Sequence, residues 1–473
     1  MKLIRAGAFA LSTMALSIAW QPVPAAQRGG GRGSGSGVRG SELVPRTSYV
    51  RLGGRGQGTS DAVLYEPGRG TPKNGVALMF GHPSESNFNH PSGRELARRG
   101  YRILMVNVQD GRSNPDAYAP AYSAAIKYLR GLPGVDKVVI VTHSGGGHEM
   151  AFYQNVAENG AKACSGPEKI YPCRRELTTG LEKADGLILL DSTLGAFHAM
   201  SSVDPAVDSA TPRARDPKLD MFDSRNGYDR DKRRASYTPE FSRTFYAAQA
   251  ARNAKLVGQA RARLAAVDNG ESNYSDDEPF VVPGMGVNAT GARLYQPDVR
   301  VVSKTRAPHL LLKADGTTPT EIVHSVRPPS GANPEEALGS LSVMTQNSTV
   351  RRFLGTSAIR TKPDFAFTED DIVGVDWASA MSSTPANAEG ITVPTLVMSM
   401  TCHYLVVPDE IVFNHLAARD KQFALVEGAT HNFTACRPEY GDTVARTFDY
   451  VDGWLTQPGR FLPGSSSGDR QAR

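Results

Sequence analysis

Residues 137–150 read KVVIVTHSGGGHEM, and this stretch decides how the rest of the chain is interpreted. Apolar, strand-favouring residues lead into Ser144, three glycines follow, and a helix-like pattern begins directly afterwards. A flexible linker would not follow such a run, and a phosphate-binding loop would place its glycines before a Lys-Ser or Lys-Thr pair. The stretch therefore predicts a buried strand, a sharp turn with Ser144 at its apex, and a helix.

An alternation of strand-like and helix-like segments extends from about Tyr49 to Leu194. Three of the strand-like segments are continuous apolar runs, which are typical of strands buried on both faces of a parallel sheet. These runs are GVALMF (75–80), YRILMVNV (101–108) and GLILLDS (186–192). The pattern predicts an α/β fold built on a doubly wound, mostly parallel sheet.

The alternation of strand-like and helix-like segments stops after Gly195 and resumes near Ile391. The intervening residues are more polar, and they contain one long amphipathic helix for which Thr238 is the predicted N-cap. Residues 46–195 and 391–473 are therefore predicted to be two parts of one core. Residues 196–390 are predicted to be a large cap inserted between them.

The first residues have the pattern of a secretory signal peptide. Lys2 and Arg5 precede an apolar run that ends at Ala19, and small residues follow around Ala25. Residues 1–25 are predicted to be the signal peptide and residues 26–45 a flexible Gly/Ser/Arg-rich leader. The expected location is the periplasm or the exterior of the cell. Retention of the apolar run as an anchor is the alternative, and no other segment reads as a membrane span.

Composition narrows the classes of partner. The 473 residues carry a formal net charge of +5, and the arginines are scattered, which argues against a nucleic-acid partner. An even count of four cysteines in an oxidising compartment predicts two disulfides. Pairing of neighbours along the chain is one of three connectivities, and none of the spacings resembles a zinc site. The predicted pairs are Cys164 with Cys173 and Cys402 with Cys436.

Three further features of the sequence accompany Ser144, and their order along the chain is informative. The segment FGHPSE (80–85) follows a buried strand near the start of the core, and VEGATHNF (426–433) places His431 just after the last strand. Acidic side chains lie between the serine and the histidine. A serine on a strand-to-helix turn, followed by an acid and then a histidine, is the chain order of a nucleophile elbow with its partners.

With these residues the chain resembles the α/β-hydrolase superfamily over roughly residues 49–195 and 391–455. The resemblance implies that Ser144 is the nucleophile and His431 the general base. It also implies that the backbone amides of His82 and Gly145 form the oxyanion hole, and that the chemistry requires no metal or organic cofactor.

Two positions depart from the pattern of that family. Thr142 occupies the place of the first glycine of Gly-x-Ser-x-Gly, and Phe80 occupies the place of the first histidine of His-Gly-x-Pro. Both changes leave the small residues around Ser144 in place.

The third member of the triad is less clear from the sequence. The loop after the strand PTLVMSM, where the family most often carries its acid, reads TCHYLVVPDE, with Cys402, His403 and Tyr404 in the expected place. Asp191, at the end of a preceding core strand, is the preferred candidate, although it could instead cap the turn that follows. Asp409 and Glu410 are the alternatives, and they lie where a helix should begin, a position that acids favour in any case.

The sequence thus predicts a serine hydrolase that acts on a carboxylic ester, either a small molecule or an oligomer. Two alternatives stay open. A serine peptidase or amidase would use the same residues on the same fold, and a non-catalytic binding protein could retain the fold without the chemistry. The irregular cap is the part that would select the substrate.

Overall fold

The computed structural model describes residues 45–53, 60–68, 73–83, 86–108, 115–174, 178–211, 214–286, 291–330 and 345–462. The predicted signal peptide (1–25) and all but the last residue of the predicted leader (26–45) lie outside these ranges, so both remain predictions.

The helices and strands largely follow the periodicity of the sequence. The strands are β1 (Arg46–Leu52), β2 (Ser60–Glu66), β3 (Val76–Gly81), β4 (Arg102–Asn107), β5 (Lys137–His143), β6 (Gly186–Leu190), β7 (Tyr228–Asp229), β8 (Arg234–Ala235), β9 (Pro279–Pro283), β10 (His309–Leu312), β11 (Thr320–Glu321), β12 (Thr345–Thr349), β13 (Arg360–Phe367), β14 (Ile372–Asp376), β15 (Thr395–Met400) and β16 (Lys421–Val426). The α-helices are α1 (Pro91–Arg98), α2 (Pro115–Arg130), α3 (Gly146–Asn159), α4 (Ala196–Met200), α5 (Pro239–Asp268), α6 (Val350–Thr356), α7 (Thr384–Ala388), α8 (Val406–His415) and α9 (Thr443–Leu455). Over the described ranges, none of the helices is both long and apolar enough to cross a bilayer.

Ten strands form one sheet in the order β1-β2-β4-β3-β5-β6-β15-β16-β10-β11. From β4 to β10 every neighbouring pair is parallel, whereas β1, β2 and β11 are antiparallel to their neighbours. The prediction of a doubly wound, mostly parallel sheet is therefore confirmed. Because β5 and β6 lie at the centre, the loops that follow them open at the middle of the carboxyl edge.

Helices cover both faces of the sheet. All six residues of β3 are buried, and alternate side chains point to opposite faces. Met79 packs in a cluster with Phe152 of α3, whereas Phe80 packs in a second cluster with Leu96 of α1 and Phe448 of α9. Burial on both faces explains why these strands read as continuous apolar runs.

Residues 196–390 build a layer of their own and also extend the sheet. The 30-residue helix α5 begins as predicted, with the Thr238 side chain accepting a hydrogen bond from the Phe241 amide. Helix α6 packs on it around Phe353, and β9 pairs with β12. The apolar segment His309–Leu312 leaves this layer and pairs in parallel with β16, so the predicted insertion supplies β10 and β11 to the main sheet. The boundaries at residues 196 and 390 stay predictions.

Both predicted disulfides are present. Cys164 is bonded to Cys173 across 9 residues, and Cys402 is bonded to Cys436 across 34 residues. The second bridge joins the loop after β15 to the loop after β16. Those two loops lie side by side because their strands are neighbours in the sheet.

We expect the two disulfides to differ in their effect on stability. Loop closure in the unfolded chain predicts a loss of about 4 kcal/mol in the free energy of unfolding for Cys402→Ser/Cys436→Ser. The same relation predicts about 2.5 kcal/mol for Cys164→Ser/Cys173→Ser. Urea denaturation of both double variants measures the difference, and an equal or larger loss for the shorter loop would contradict it.

Candidate active site

Ser144 occupies a tight turn between β5 and α3. Its φ of 55° lies in the left-handed region, which costs a residue with a side chain about 1–2 kcal/mol. The surrounding backbone enforces this conformation. The Ser144 amide donates to the carbonyl oxygen of Leu190 at 3.1 Å, and the Ser144 carbonyl oxygen accepts from the amides of Thr193 and Gly147. The serine is thus fixed at the centre of the carboxyl edge of the sheet.

Two glycines make this turn possible. A β-carbon on Gly146 would lie 2.0 Å from the Thr142 hydroxyl and 2.6 Å from the Gly81 carbonyl oxygen. A β-carbon on Gly147 would lie 2.5 Å from that of Ser192. Thr142 itself fits in place of the usual glycine, because its buried hydroxyl donates to the Gly81 carbonyl oxygen at 2.8 Å.

His431 lies on a loop that begins after β16 and turns back on itself. An antiparallel bridge joins Ala429 to Ala435, and the disulfide of Cys436 with Cys402 ties the base of the loop to its neighbour. The loop therefore has little freedom to carry the imidazole away from the sheet.

The His431 ring connects Ser144 with Asp191. Its Nε2 lies 2.8 Å from the Ser144 Oγ, and its Nδ1 lies 2.6 Å from the Asp191 Oδ2. With the proton on Nδ1, the ring donates to the carboxylate and presents an acceptor to the hydroxyl. The structure therefore brings the three predicted residues together in the geometry of a serine, base and acid.

Asp191 directly follows β6 and is completely buried. Burial by itself would raise the pKa of its carboxyl group, but contacts with the imidazoles of His403 and His431 outweigh burial and lower it. The Asp191 Oδ1 also accepts a hydrogen bond from the Met400 amide at 3.1 Å. The carboxylate is thus held ionised without water.

The alternative acids face other partners. Glu410 accepts hydrogen bonds from the amides of Arg306 and Ala307, and it lies 2.7 Å from the His309 Nε2. Asp409 accepts from the Ser192 amide. Burial, together with the charge of Asp191, raises the Asp409 pKa well above its ordinary value.

The loop that carries His82 and Pro83 lies close to Gly145. The oxyanion hole formed by the amides of His82 and Gly145 stays a prediction. A β-carbon on Gly145, the N-cap of α3, would lie 3.1 Å from the ring of Pro83. The Asn87 side chain anchors the preceding loop by donating to the carbonyl oxygens of His82 and Val106. Burial lowers the pKa of the His82 imidazole to about 4, so this ring is neutral near pH 7.

A chain of neutral histidines supports the loop of His431. The His143 Nε2 lies 2.8 Å from the His431 carbonyl oxygen and must therefore carry the proton. The His143 Nδ1 then accepts from the His90 Nε2 at 3.2 Å. Burial lowers the pKa of both rings, that of His90 to about 3. His143 directly precedes Ser144 in the sequence, whereas nothing in the sequence indicated that His90 would contact it.

His403 is a further site residue that the sequence analysis did not identify. Its Nδ1 lies 2.7 Å from the Asp191 Oδ2, and its ring stacks on the His431 ring at a centroid distance of 4.4 Å. Its position after Cys402, in the loop where the family carries its acid, was the one available signal. In the part of the chain that the structure describes, Asp191, His403 and His431 are the group whose ligand atoms could hold a metal ion.

An aromatic wall next to this cluster begins in the loop after β15 and continues into the predicted cap. The Tyr404 ring lies 4.1 Å from the His403 ring, and the Tyr295 ring follows at 5.2 Å from Tyr404. Phe367 continues the wall at 5.1 Å from Tyr295. Aromatic side chains from residues 196–390 thus reach the immediate surroundings of the site.

No protein-family model matches the sequence, and no curated protein sequence matches it. Solved structures do match along most of the chain. A hypothetical protein from Pseudomonas aeruginosa is 15% identical, with a TM-score of 0.36 over 86% of this chain and 94% of that one. Brefeldin A esterase, a bacterial homologue of human hormone-sensitive lipase, is 11% identical, with a TM-score of 0.40 over 89% and 79%. An esterase from Pyrobaculum calidifontis is 13% identical, with a TM-score of 0.39 over 88% and 87%.

The topology itself identifies the architecture. The sheet has an antiparallel second strand and a crossed order of its third and fourth strands. Ser144 occupies the turn after β5, Asp191 follows β6, and His431 follows β16. Together, this strand order and the placement of the three residues show that the chain has the α/β-hydrolase fold.

Proposed function

We propose that the protein is a serine hydrolase that cleaves carboxylic esters through an acyl-enzyme intermediate on Ser144. The observation that carries the proposal is the continuous contact from the Ser144 Oγ through the His431 ring to the Asp191 Oδ2, at 2.8 Å and 2.6 Å. A nucleophile, a base and a group that orients the base are the parts that acyl transfer requires.

In the first half of the reaction, the His431 Nε2 takes the proton of Ser144 as the Oγ attacks the acyl carbon. The amides of His82 and Gly145 donate to the oxygen that becomes negative. The carbon–oxygen bond of the ester then breaks, and the alcohol leaves with the proton that His431 held. In the second half, His431 takes a proton from water, which attacks the acyl carbon and releases the acid.

Asp191 is proposed to keep the His431 proton on Nδ1 and to stabilise the imidazolium that forms in each half. Its lowered pKa supports this role, because it favours the ionised carboxylate that the His431 Nδ1 proton contacts. The raised pKa of Asp409 disfavours a second negative charge beside it.

The aromatic wall of Tyr404, Tyr295 and Phe367 is proposed to select the substrate. The Tyr404 ring contacts the His403 ring, and Tyr295 and Phe367 extend this contact into residues 196–390, so the wall would contact one of the two groups that flank the ester. The two disulfides and the predicted signal peptide support an oxidising location, either the periplasm or the exterior of the cell.

Ser144→Ala should abolish hydrolysis of p-nitrophenyl esters of graded chain length. We expect kcat to fall by at least about 10⁴-fold, because the variant keeps the pocket but loses the nucleophile. Ser242→Ala, on helix α5, is the matched control and should leave turnover unchanged. Labelling by a fluorophosphonate probe should follow the same pattern. Unchanged turnover or labelling in Ser144→Ala would contradict the proposal.

Asp191→Asn should lower activity, whereas Glu410→Gln should lower stability. Asp191→Asn lets His431 adopt the wrong tautomer, so we expect kcat to drop by about 10⁴-fold. Glu410→Gln disturbs a buried acceptor of two amides and should cost about 1–3 kcal/mol of stability, with little change in kcat. Steady-state kinetics and thermal unfolding separate the two effects, and a larger loss of kcat in Glu410→Gln would refute the assignment.

A matched pair of substrates distinguishes an esterase from an amidase. We expect the p-nitrophenyl ester of a given acid to be hydrolysed with a much higher kcat/KM than its p-nitroanilide. Comparable values for the two would favour a peptidase or amidase. If the native protein neither turns over an ester nor reacts with the fluorophosphonate, the binding-protein alternative is favoured.

A further inference from the structure

We propose that Asp191, His403 and His431 form a binding site for a divalent transition-metal ion, Zn²⁺ in particular, and that occupation of this site blocks hydrolysis. The proposal that the site binds a metal ion rests on the geometry of the three side chains alone. The proposal that the bound ion inhibits hydrolysis also rests on the proposed function.

The three residues offer the ligand atoms that zinc prefers. Imidazole nitrogens and carboxylate oxygens are common zinc ligands, and three protein ligands plus water complete a four-coordinate site. One ring nitrogen of each histidine and a carboxylate oxygen of Asp191 all lie within 4.8 Å of one another. Each nitrogen is now 2.6–2.7 Å from the Asp191 Oδ2. Tetrahedral ligands at zinc–ligand distances of about 2 Å would be about 3.3 Å apart, so binding requires a small outward shift of the carboxylate.

The Nδ1 atom of His403 has an unusual environment. It is buried and has no hydrogen-bond partner among the described residues, although it lies 2.7 Å from the Asp191 Oδ2. The contact is short, but it does not have the direction of a hydrogen bond. An ion shared by two ligand atoms lies off the line that joins them. A nitrogen aimed beside the carboxylate oxygen is therefore oriented for a shared ion.

The backbone holds His403 in this position without an ion. The preceding residue, Cys402, is anchored by its disulfide, and the His403 amide donates to the Met400 carbonyl oxygen at 3.0 Å. The Ser325 hydroxyl donates to the His403 carbonyl oxygen at 3.0 Å. Preorganised ligands lose little freedom on binding a metal ion, which favours affinity.

Occupation of the site would reverse the role of His431. A metal ion bound at Nδ1 requires the neutral ring to carry its proton on Nε2. That nitrogen would then donate toward the Ser144 Oγ instead of accepting its proton. The proton moves from Nδ1 to Nε2, so the ring stays neutral. The ring can then no longer accept the Ser144 proton, and the base needed for the attack on the ester is lost. Removal of the ion restores the original tautomer.

The binding test uses untagged protein with Ser144→Ala, which keeps all three ligands and needs no catalytic activity. Titration calorimetry with Zn²⁺ should show one ion per chain. Adding His403→Asn should weaken binding by at least about tenfold. The matched control is His415→Asn, because the His415 Nδ1 also contacts one carboxylate, at 2.8 Å from Glu389, but has no second histidine. Unchanged zinc binding in His403→Asn would overturn the proposal.

A second variant guards against misfolding. His403→Phe keeps a ring against Tyr404 while removing the ligand, and thermal unfolding identifies whichever variant retains the native fold. If a folded variant binds zinc as tightly as the Ser144→Ala protein, the proposed site is wrong. Reduced affinity supports the proposed site.

The activity test uses the native serine. Zn²⁺ should inhibit ester hydrolysis, EDTA should restore it, and His403→Asn should need at least about tenfold more zinc for the same fractional inhibition. Zinc that binds without inhibiting would overturn the placement of the ion on His431. If no ester is turned over, the proposed function fails, yet the calorimetric test of the site still stands.

Discussion

The buried carboxylate of Asp191 is the constraint on which the site depends. An ionised group without water costs many kcal/mol unless charges and hydrogen-bond donors surround it. Here the Met400 amide donates to the carboxylate, the His431 Nδ1 lies in hydrogen-bonding contact with it, and the His403 ring is in close contact at 2.7 Å. One side chain at the end of β6 therefore ties the end of β15 and the loop after β16 to a common point, and the central strands hold that point beside Ser144.

The features that the sequence predicts well are those encoded locally. The turn at Ser144 is visible because strand-forming residues, glycines and a helical pattern follow one another within fourteen positions. His431 is predictable from its place after the last apolar strand. The even count of cysteines indicates two disulfides without knowledge of the fold, whereas the choice among the three connectivities depends on which loops meet. Helix α5 could be assigned from Thr238 and Pro239 at its start.

The local sequence does not show which of several similar side chains, such as the candidate acids, the fold brings to the site. Asp191 and Glu410 both lie at ends of predicted elements, and their partners alone distinguish them. Glu410 meets His309 on β10, a strand whose place beside β16 depends on pairing between distant segments. The contact of His403 with Asp191 is of the same kind. Hydrophobic periodicity describes which face of an element is buried, and it carries no information about which loops meet.

The strand order has a consequence for how the protein is made. Strand β16 lies between β15 and β10 in the sheet, although it is the last of the three to be synthesised. The β10–β11 hairpin therefore emerges from the ribosome before the strand that joins it to the sheet, and it must wait while more than a hundred residues follow. Contacts between such distant segments form slowly. Because His431 follows β16, it is synthesised well after Ser144 and Asp191, so the contacts that join the three side chains can form only near the end of synthesis.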